Sequence, residues 1–357
     1  MWKTSEYTAV GRVHLKVGIP CQDKVCTYKN DDVTVVSLAD GAGSAKLSHF
    51  GAEAVLERVS SDLGDHFEEY FAQSNVSAIR QRLFSKVLDA LEETQSRLQC
   101  DLRDLSSTLL ATAVCGSRYF IVHIGDGVIG YLKDDKIKVA SGPDNGEFVN
   151  ETFFTTTPSA LSCMRILKGT DDKIGGFVLM SDGTENALYN KRTHELSQGI
   201  KRIMQMTVLC PDNSMRELLS ETFTSAVMSL TQDDCSISIL ANTKAFPAYC
   251  NMSISEKLNL LQIGCNARDK TKRICQVGEI LYAASKGASA AQIARQVHIN
   301  PKHIIKKLNS LVSLGLLERN QGIYHSVSDE IYTASKSIHH KESEVIINGT
   351  QPFQPPV

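Results

Sequence analysis

Nowhere does this sequence run to the ~18 consecutive apolar residues that a membrane-spanning helix needs, and its mean hydropathy is −0.14. The first residues, Met1-Trp2-Lys3-Thr4-Ser5-Glu6, lack the apolar core of a signal peptide. The expected location is therefore the cytoplasm, with no membrane partner. Ten cysteines are scattered singly and no CxxC pair occurs, so neither a zinc ribbon nor a disulfide framework is supported. Cys21 and Cys26, the nearest pair, read as buried or half-buried thiols. No internal repeat is visible.

What is present is ordinary for a folded soluble protein: 42% apolar and 22% charged residues. A chain of 357 residues exceeds the usual single domain, so two are expected. Charge divides the same way. Residues 268–319 hold ten basic side chains against three acidic ones, an excess of seven. The net charge of −2 then leaves −9 on the remainder. An acidic body with a basic appendage is the pattern of two modules with different partners.

Up to about residue 242 the patterning alternates between periods of two and of 3.6. Strands are expected at 8–15 and 33–38. Helices follow over 51–69 and 76–102. Hairpins are expected from 108–115 and 118–124 around Gly116-Ser117, and from 128–132 and 136–140 around residues 133–135. Further strands fall at 161–167 and 177–180. Helices near 194–206 and 215–230 precede a last strand at 235–240. Strand clusters separated by long paired helices predict an α+β fold, an antiparallel β-sandwich flanked by helices.

Four short acidic stretches punctuate this region: Cys21-Gln22-Asp23, Asp40-Gly41-Ala42-Gly43-Ser44, Ser181-Asp182-Gly183 and Gln232-Asp233-Asp234. Each places a carboxylate where a strand would end. Glycine beside a carboxylate lets backbone approach closely. Several hard oxygen ligands on one mouth suit magnesium or manganese, so the chain reads as a metal-assisted hydrolase.

The ordered set of these motifs resembles the metal-dependent Ser/Thr protein phosphatases, also called type 2C phosphatases, over roughly residues 6–242. Gln22-Asp23 stands where the family has its early acidic pair. Asp40-Gly41 matches its DG motif, Ser107-Thr108 its mid-domain strand start, Gly125-Asp126 its GD motif, Asp182-Gly183 its SDG motif and Asp233-Asp234 its closing pair. Gly11-Arg12-Val13-His14, Pro20-Cys21-Gln22-Asp23 and the 146–152 segment are similar to a bacterial branch. The resemblance implies two antiparallel sheets with metals at one end, two Mn2+ or Mg2+ ions and a weaker third. Asp40 would bridge two ions, with the Gly41 carbonyl on one of them. Asp182 and Asp233 would complete the other shell, and Asp126 with Asp182 would hold the third. The chemistry implied is direct water attack on a phosphoserine or phosphothreonine ester of a phosphoprotein, opposing a Ser/Thr kinase in signal transduction.

The chain departs from the family pattern in three places. Gln22 replaces the usual glutamate, leaving Asp23 to ligate or to orient bound water. Ala42 replaces the histidine after DG. The phosphate-binding arginine ahead of the acidic pair is missing. His14, placed at the end of the 8–15 strand, is the first candidate for the catalytic proton. His49 is a second, and Lys16, Lys24 and Lys46 are candidates for phosphate binding. Ser107 and Thr108 are expected to order the acidic loops, and Asp234 to support Asp233.

The domains then read as a phosphatase domain over 1–242, a linker over 243–255, and a basic module over 256–330. From about 341 the low-hydrophobicity tail is expected to be disordered. The basic module has helical patterns at 273–284, 288–297 and from Asn300-Pro301 onward, then two short strands near 315–319 and 322–325. That order resembles a winged helix-turn-helix. Its third helix would present Lys302, His303, Lys306 and Lys307, suited to DNA phosphates and little to base edges; docking to protein is an equal reading. An alternative for the whole chain is a DNA- or partner-binding regulator that keeps a weakened phosphatase fold as a sensor.

Overall fold

The computed structural model describes residues 1–143, 152–210, 212–247, 249–261, 263–264 and 267–327. The 146–152 motif apart from Thr152, residues 328–330 of the basic module and the tail from 341 lie outside them. The chain divides into two compact units. The first takes Met1–Val208 and Met215–Phe246; the second takes Leu209–Ser214 and the described residues from Pro247 onward.

In the first unit, strands rich in β-branched and apolar residues form two five-stranded antiparallel sheets. One runs Trp2–Ala9, Cys235–Asn242, Ile174–Met180, Val128–Lys133, Lys136–Ser141 in spatial order. The other runs Lys24–Lys29, Val33–Ala39, Leu109–Cys115, Arg118–Ile124, Arg165–Thr170. Side chains of both sheets share one apolar cluster, including Val36, Leu38, Leu110, Ile121, Ile129, Phe177, Leu179 and Leu240. The opposite face of the second sheet packs on the helices Ser48–Asp65 and Val76–Leu98 through Val55, Val59, Leu63, Leu83, Val87 and Leu91. Both expected hairpins form, with Cys115 opposite Arg118 and Lys133 opposite Lys136. Asp134 and Asp135 take φ of 50° and 64°, the paired left-handed conformations that a tight two-residue hairpin needs. The fold is thus mixed α+β with antiparallel sheets.

Two expected strands are displaced. The strand expected at 8–15 is instead Trp2–Ala9, and the helix Arg12–Val17 follows it. Residues 160–163 form a helical turn, and the strand expected from 161 begins at Arg165. The helix expected near 194–206 is Gly199–Leu209, preceded by a small hairpin of Tyr189–Asn190 with Glu195–Leu196.

Residues 243–255 contain the 3-10 turns Thr243–Ala245 and Tyr249–Asn251, with Tyr249 and Met252 buried. The second unit then has the helices Ile254–Leu260, Lys270–Ala284, Ala290–Gln296 and Pro301–Ser313. Ser253 with Glu256, and Ser289 with Gln292, form capping boxes. Asn300 caps the last helix ahead of Pro301. Ile323–Ser326 lies between Leu317–Asn320 and the short strand Ala288–Ser289 in an antiparallel sheet. Ile280, Leu281, Ile293, Ile304, Leu308, Leu316 and Tyr324 form its core. Lys302, His303, Lys306 and Lys307 lie exposed on one helix.

Candidate active site

Antiparallel register brings the acidic strand ends together. Val128 and Ile237 both pair with Met180, so the residues just before Val128, just after Met180 and just before Cys235 leave one end of the first sheet. Those residues include Asp126, Asp182, Asp233 and Asp234. In the second sheet, Leu38 pairs with Leu110 and Leu109 with Ile124, which puts Asp40 at the same end as the Gly125-Asp126 turn. A cavity of about 130 Å³ results, lined by His14, Gln22, Asp40, Gly41, Ala42, Asp126, Asp182, Asp233 and Asp234 among others. That is well below the ~300–1,000 Å³ of a drug-sized ligand pocket and suits ions and a phosphoryl group.

Close backbone approaches fix the acidic segments against one another. A Cβ on Gly183 would stand 1.9 Å from the Asp234 carbonyl oxygen, and one on Gly11 2.4 Å from the Asp233 carbonyl carbon. Only glycine allows these contacts. Asp40 is pinned by Thr108: the Asp40 amide donates to Thr108 Oγ1 at 2.8 Å, and the Thr108 amide donates to the Asp40 carbonyl at 2.8 Å. Thr152 Oγ1 donates to Asp126 Oδ2 at 2.6 Å.

Asp234 is a hub. Its Oδ1 accepts the Gly11 amide at 2.6 Å and lies 3.0 Å from His14 Nδ1; its Oδ2 accepts the Gln22 amide at 2.6 Å. Its own amide donates to Asp233 Oδ1 at 2.9 Å. His14 therefore reaches the cavity from the helix Arg12–Val17, held by a carboxylate, and not from a strand end.

Gln22 and Asp23 divide differently from the sequence expectation. Gln22 faces the cavity; its Nε2 donates to Ser48 Oγ at 2.7 Å and to the Ala45 carbonyl at 3.1 Å. Asp23 is 1% exposed and does not line the cavity. Gln22 Oε1 and Asp182 Oδ1 are buried without a hydrogen-bond partner among the described residues. Lys16 and Lys46 are exposed, and Lys24 is half-buried near His49; none of them lines the cavity.

Electrostatics follow from packing these carboxylates together. Burial pushes Asp23 up to about 7 against the opposing effect of the Ser236 and Ser181 hydroxyls, with the charges of Asp234 and Asp182 adding. Burial also holds Asp40 well above the usual carboxylate range, reinforced by Asp23 and Asp182. Asp182 is raised by burial and then by Asp126. Crowded carboxylates with unpartnered oxygens are a donor set for hard divalent cations, so the residues fit the Mn2+ or Mg2+ expected here. Among the described residues no three His, Cys, Asp or Glu side chains already converge at metal-ligating geometry; the carboxylates stand around the cavity. The flanking thiols do not supply a nucleophile. Burial pushes Cys235 up to about 12 and Cys21 higher still, so both stay protonated.

The sequence reading gave Asp234 only a supporting role beside Asp233 and assigned none to Thr152. Their contacts join residues far apart in the chain; the signals in advance are the adjacency of Asp234 to Asp233 and the place of Thr152 at the end of the 146–152 motif.

A family model described as Protein phosphatase 2C matches residues 10–223. The serine/threonine-protein phosphatase 3 of Escherichia coli K12 is 26% identical over 203 residues, covering 53% of this chain and 76% of that protein. Among solved structures, the S. agalactiae serine/threonine phosphatase is 17% identical, covers 68% of this chain and 99% of its own, and has a TM-score of 0.47. The Pseudomonas aeruginosa protein PppA, described as a key regulatory component of T6SS, is 14% identical, covers 67% of this chain and 97% of its own, and has a TM-score of 0.45. With more than half of its length matched by that family model, the chain belongs to the protein phosphatase 2C family.

Proposed function

We propose that this phosphatase-family chain hydrolyses phosphoserine and phosphothreonine esters of phosphoproteins by direct attack of water within the acidic cavity. The observation that carries the reading is that Asp40, Asp126, Asp182 and Asp233, from four separate strand ends, line one small cavity with Gly41. The family is metal-dependent. Bound there, two Mn2+ or Mg2+ ions and a weaker third supply the positive charge that polarises phosphoryl oxygens and acidifies water.

The protein's own groups divide the remaining work. Asp40 with the Gly41 carbonyl, and Asp182 with Asp233, would hold the two principal ions, and Asp126 with Asp182 would hold the weaker one. Gln22 offers the neutral Oε1 where the family pattern has a carboxylate, and Asp23 shapes the field from behind. His14, oriented through Nδ1 by Asp234, is the group at the cavity able to pass a proton to the leaving serine or threonine oxygen. Lys16, Lys24 and Lys46 stand outside the lining and act on the approach of an anionic substrate, not on the reacting phosphoryl group.

The phosphatase domain is assigned to 1–242, followed by a 243–255 linker and a winged-helix module over 256–330. The exposed Lys302, His303, Lys306 and Lys307 favour a role in contacting DNA or a partner protein. A cytoplasmic setting and an opposing Ser/Thr kinase complete the reading. The alternative, a regulator with a catalytically weakened site, draws on the neutral amide of Gln22.

Hydrolysis of p-nitrophenyl phosphate and of a phosphothreonine peptide, with manganese, with magnesium and with chelator, decides between them. Metal-dependent turnover that falls by more than about 100-fold in Asp40→Asn is expected. Folded, metal-binding protein with no turnover on either substrate would leave the regulator.

A further inference from the structure

The connection between the strands Trp2–Ala9 and Lys24–Lys29 is closed on itself by Asp234, whose oxygens accept the Gly11 amide at one end and the Gln22 amide at the other, each at 2.6 Å. The chain therefore leaves and returns at a single carboxylate, the geometry of a compact surface loop. Within it Gly18, at φ 73°, turns the chain so that the Ile19 amide donates back to the His14 carbonyl at 3.0 Å. The Arg12 guanidinium donates to the Thr231 carbonyl, one residue after the exposed Leu230. Val13, Leu15, Val17 and Ile19 are exposed as well, and with Leu230 they are five of the eleven large apolar side chains exposed among the described residues. Single exposed apolar residues are ordinary, but a cluster of them marks a contact surface. Val13 and Val17, four residues apart, share one side of the helix and Leu15 lies on the other, with His14 between them at the cavity. Between Gly11 and Gln22 there is no acidic residue, whereas Arg12, His14 and Lys16 are basic. The loop thus sets an apolar, positive rim beside an acidic cavity.

We infer that this loop is a docking surface for the phosphoprotein substrate, taking an aliphatic or aromatic side chain one to three residues from the phosphorylated serine or threonine. The inference rests on the reading of the cavity as the site of phosphoester hydrolysis. A leaving oxygen within reach of His14 fixes where the substrate segment meets the loop. An extended peptide advances about 3.3 Å per residue, and a helix of the length of Arg12–Val17 spans about 9 Å. Side chains up to three positions from the phosphorylated one therefore fall along it. Charge complements the same occupant, since the loop brings only basic groups to meet a phosphoryl anion. Contacts remote from the reacting phosphorus are made equally before and during reaction, so they act on KM and leave kcat alone.

Steady-state kinetics of the full chain with manganese test this on three substrates: a phosphothreonine peptide flanked by leucines, the same peptide flanked by serines, and p-nitrophenyl phosphate. Leu15→Gln combined with Val17→Gln removes the apolar surface with a residue that favours a helix, and neither position lines the cavity. In this variant KM on the leucine-flanked peptide is expected to rise about tenfold with kcat unchanged, while the other two substrates do not respond. Leu15→Met combined with Val17→Ile, which keeps the surface apolar, is expected to match wild type. A glutamine variant equal to wild type on the leucine-flanked peptide, or one that loses activity equally on all three substrates, overturns the docking surface and leaves the hydrolytic reading standing. Wild-type protein with no manganese-dependent turnover of any of the three overturns both.

Discussion

Asp234 ties two segments together: the Gly11 amide and the His14 ring at the helix Arg12–Val17, and the Gln22 amide, all depend on its two oxygens. With a side chain 2% exposed, any donor it abandons is left without water to replace it. Asp234→Asn keeps the shape but turns one acceptor into a donor, so either the Gly11 or the Gln22 amide loses its partner. Loss of a buried charge-assisted hydrogen bond costs about 2 kcal/mol, which urea unfolding would read directly. Because Asp234 positions His14, kcat/KM on a phosphothreonine peptide should also fall, by about 10–100-fold. A variant equal to wild type in both measurements would remove Asp234 from its role as organiser.

At the level of elements, the carboxylates were legible because each follows or precedes a strand. A period-two run such as Val33–Ala39 announces its own end at Asp40. The helix Arg12–Val17 was illegible for the complementary reason. Val13, Leu15 and Val17 alternate with polar residues as a strand would, yet the helix buries no residue at all, and these three are 45%, 60% and 64% exposed. Its conformation comes from anchors elsewhere: the Val13 amide donates to the Gln232 carbonyl, and His14 faces Asp234. At 160–163, likewise, the helical turn is closed by the Ser159 and Ala160 carbonyls, which accept the Cys163 and Met164 amides, and no side-chain periodicity reports that. Asp182-Gly183 was legible as a motif, but the reason for its glycine was not. Gly183 packs on the Asp234 carbonyl, where an added methyl would stand at 1.9 Å. Backbone carbonyl cannot rotate away as a side chain can, so Gly183→Ala must shift the start of the helix Asp182–Leu188 or the Asp233–Asp234 segment. Overpacking of this kind costs about 1–3 kcal/mol. Thermal unfolding should register that loss, and metal-dependent turnover should fall with it, since both displaced segments carry cavity carboxylates. Unchanged melting would mean that the two segments have slack which their close contact does not suggest.

Across the whole molecule, charge is partitioned between an acidic cavity in one unit and a basic helix surface in the other. The four basic residues of that helix are not equivalent. Lys307 Nζ is tied to Gln276 Oε1, and partial burial and then Arg273 lower its amine from the usual lysine range. Lys302 and Lys306 are exposed, and no ion pair with either occurs among the described residues. Phosphate contact, if the second unit binds duplex DNA, should therefore fall mainly to Lys302 and Lys306. Each phosphate neutralised contributes about −0.9 to the slope of log K against log salt. Lys302→Glu with Lys306→Glu should flatten that slope by about 2, whereas Lys307→Ala should change it by less than one contact's worth. Because helix lysines placed this way reach phosphates and not base edges, the loss should be the same on duplexes of unrelated sequence. Fluorescence anisotropy across a salt series reads all of this. Wild-type binding that is absent or insensitive to salt would assign the exposed basic surface to a protein partner.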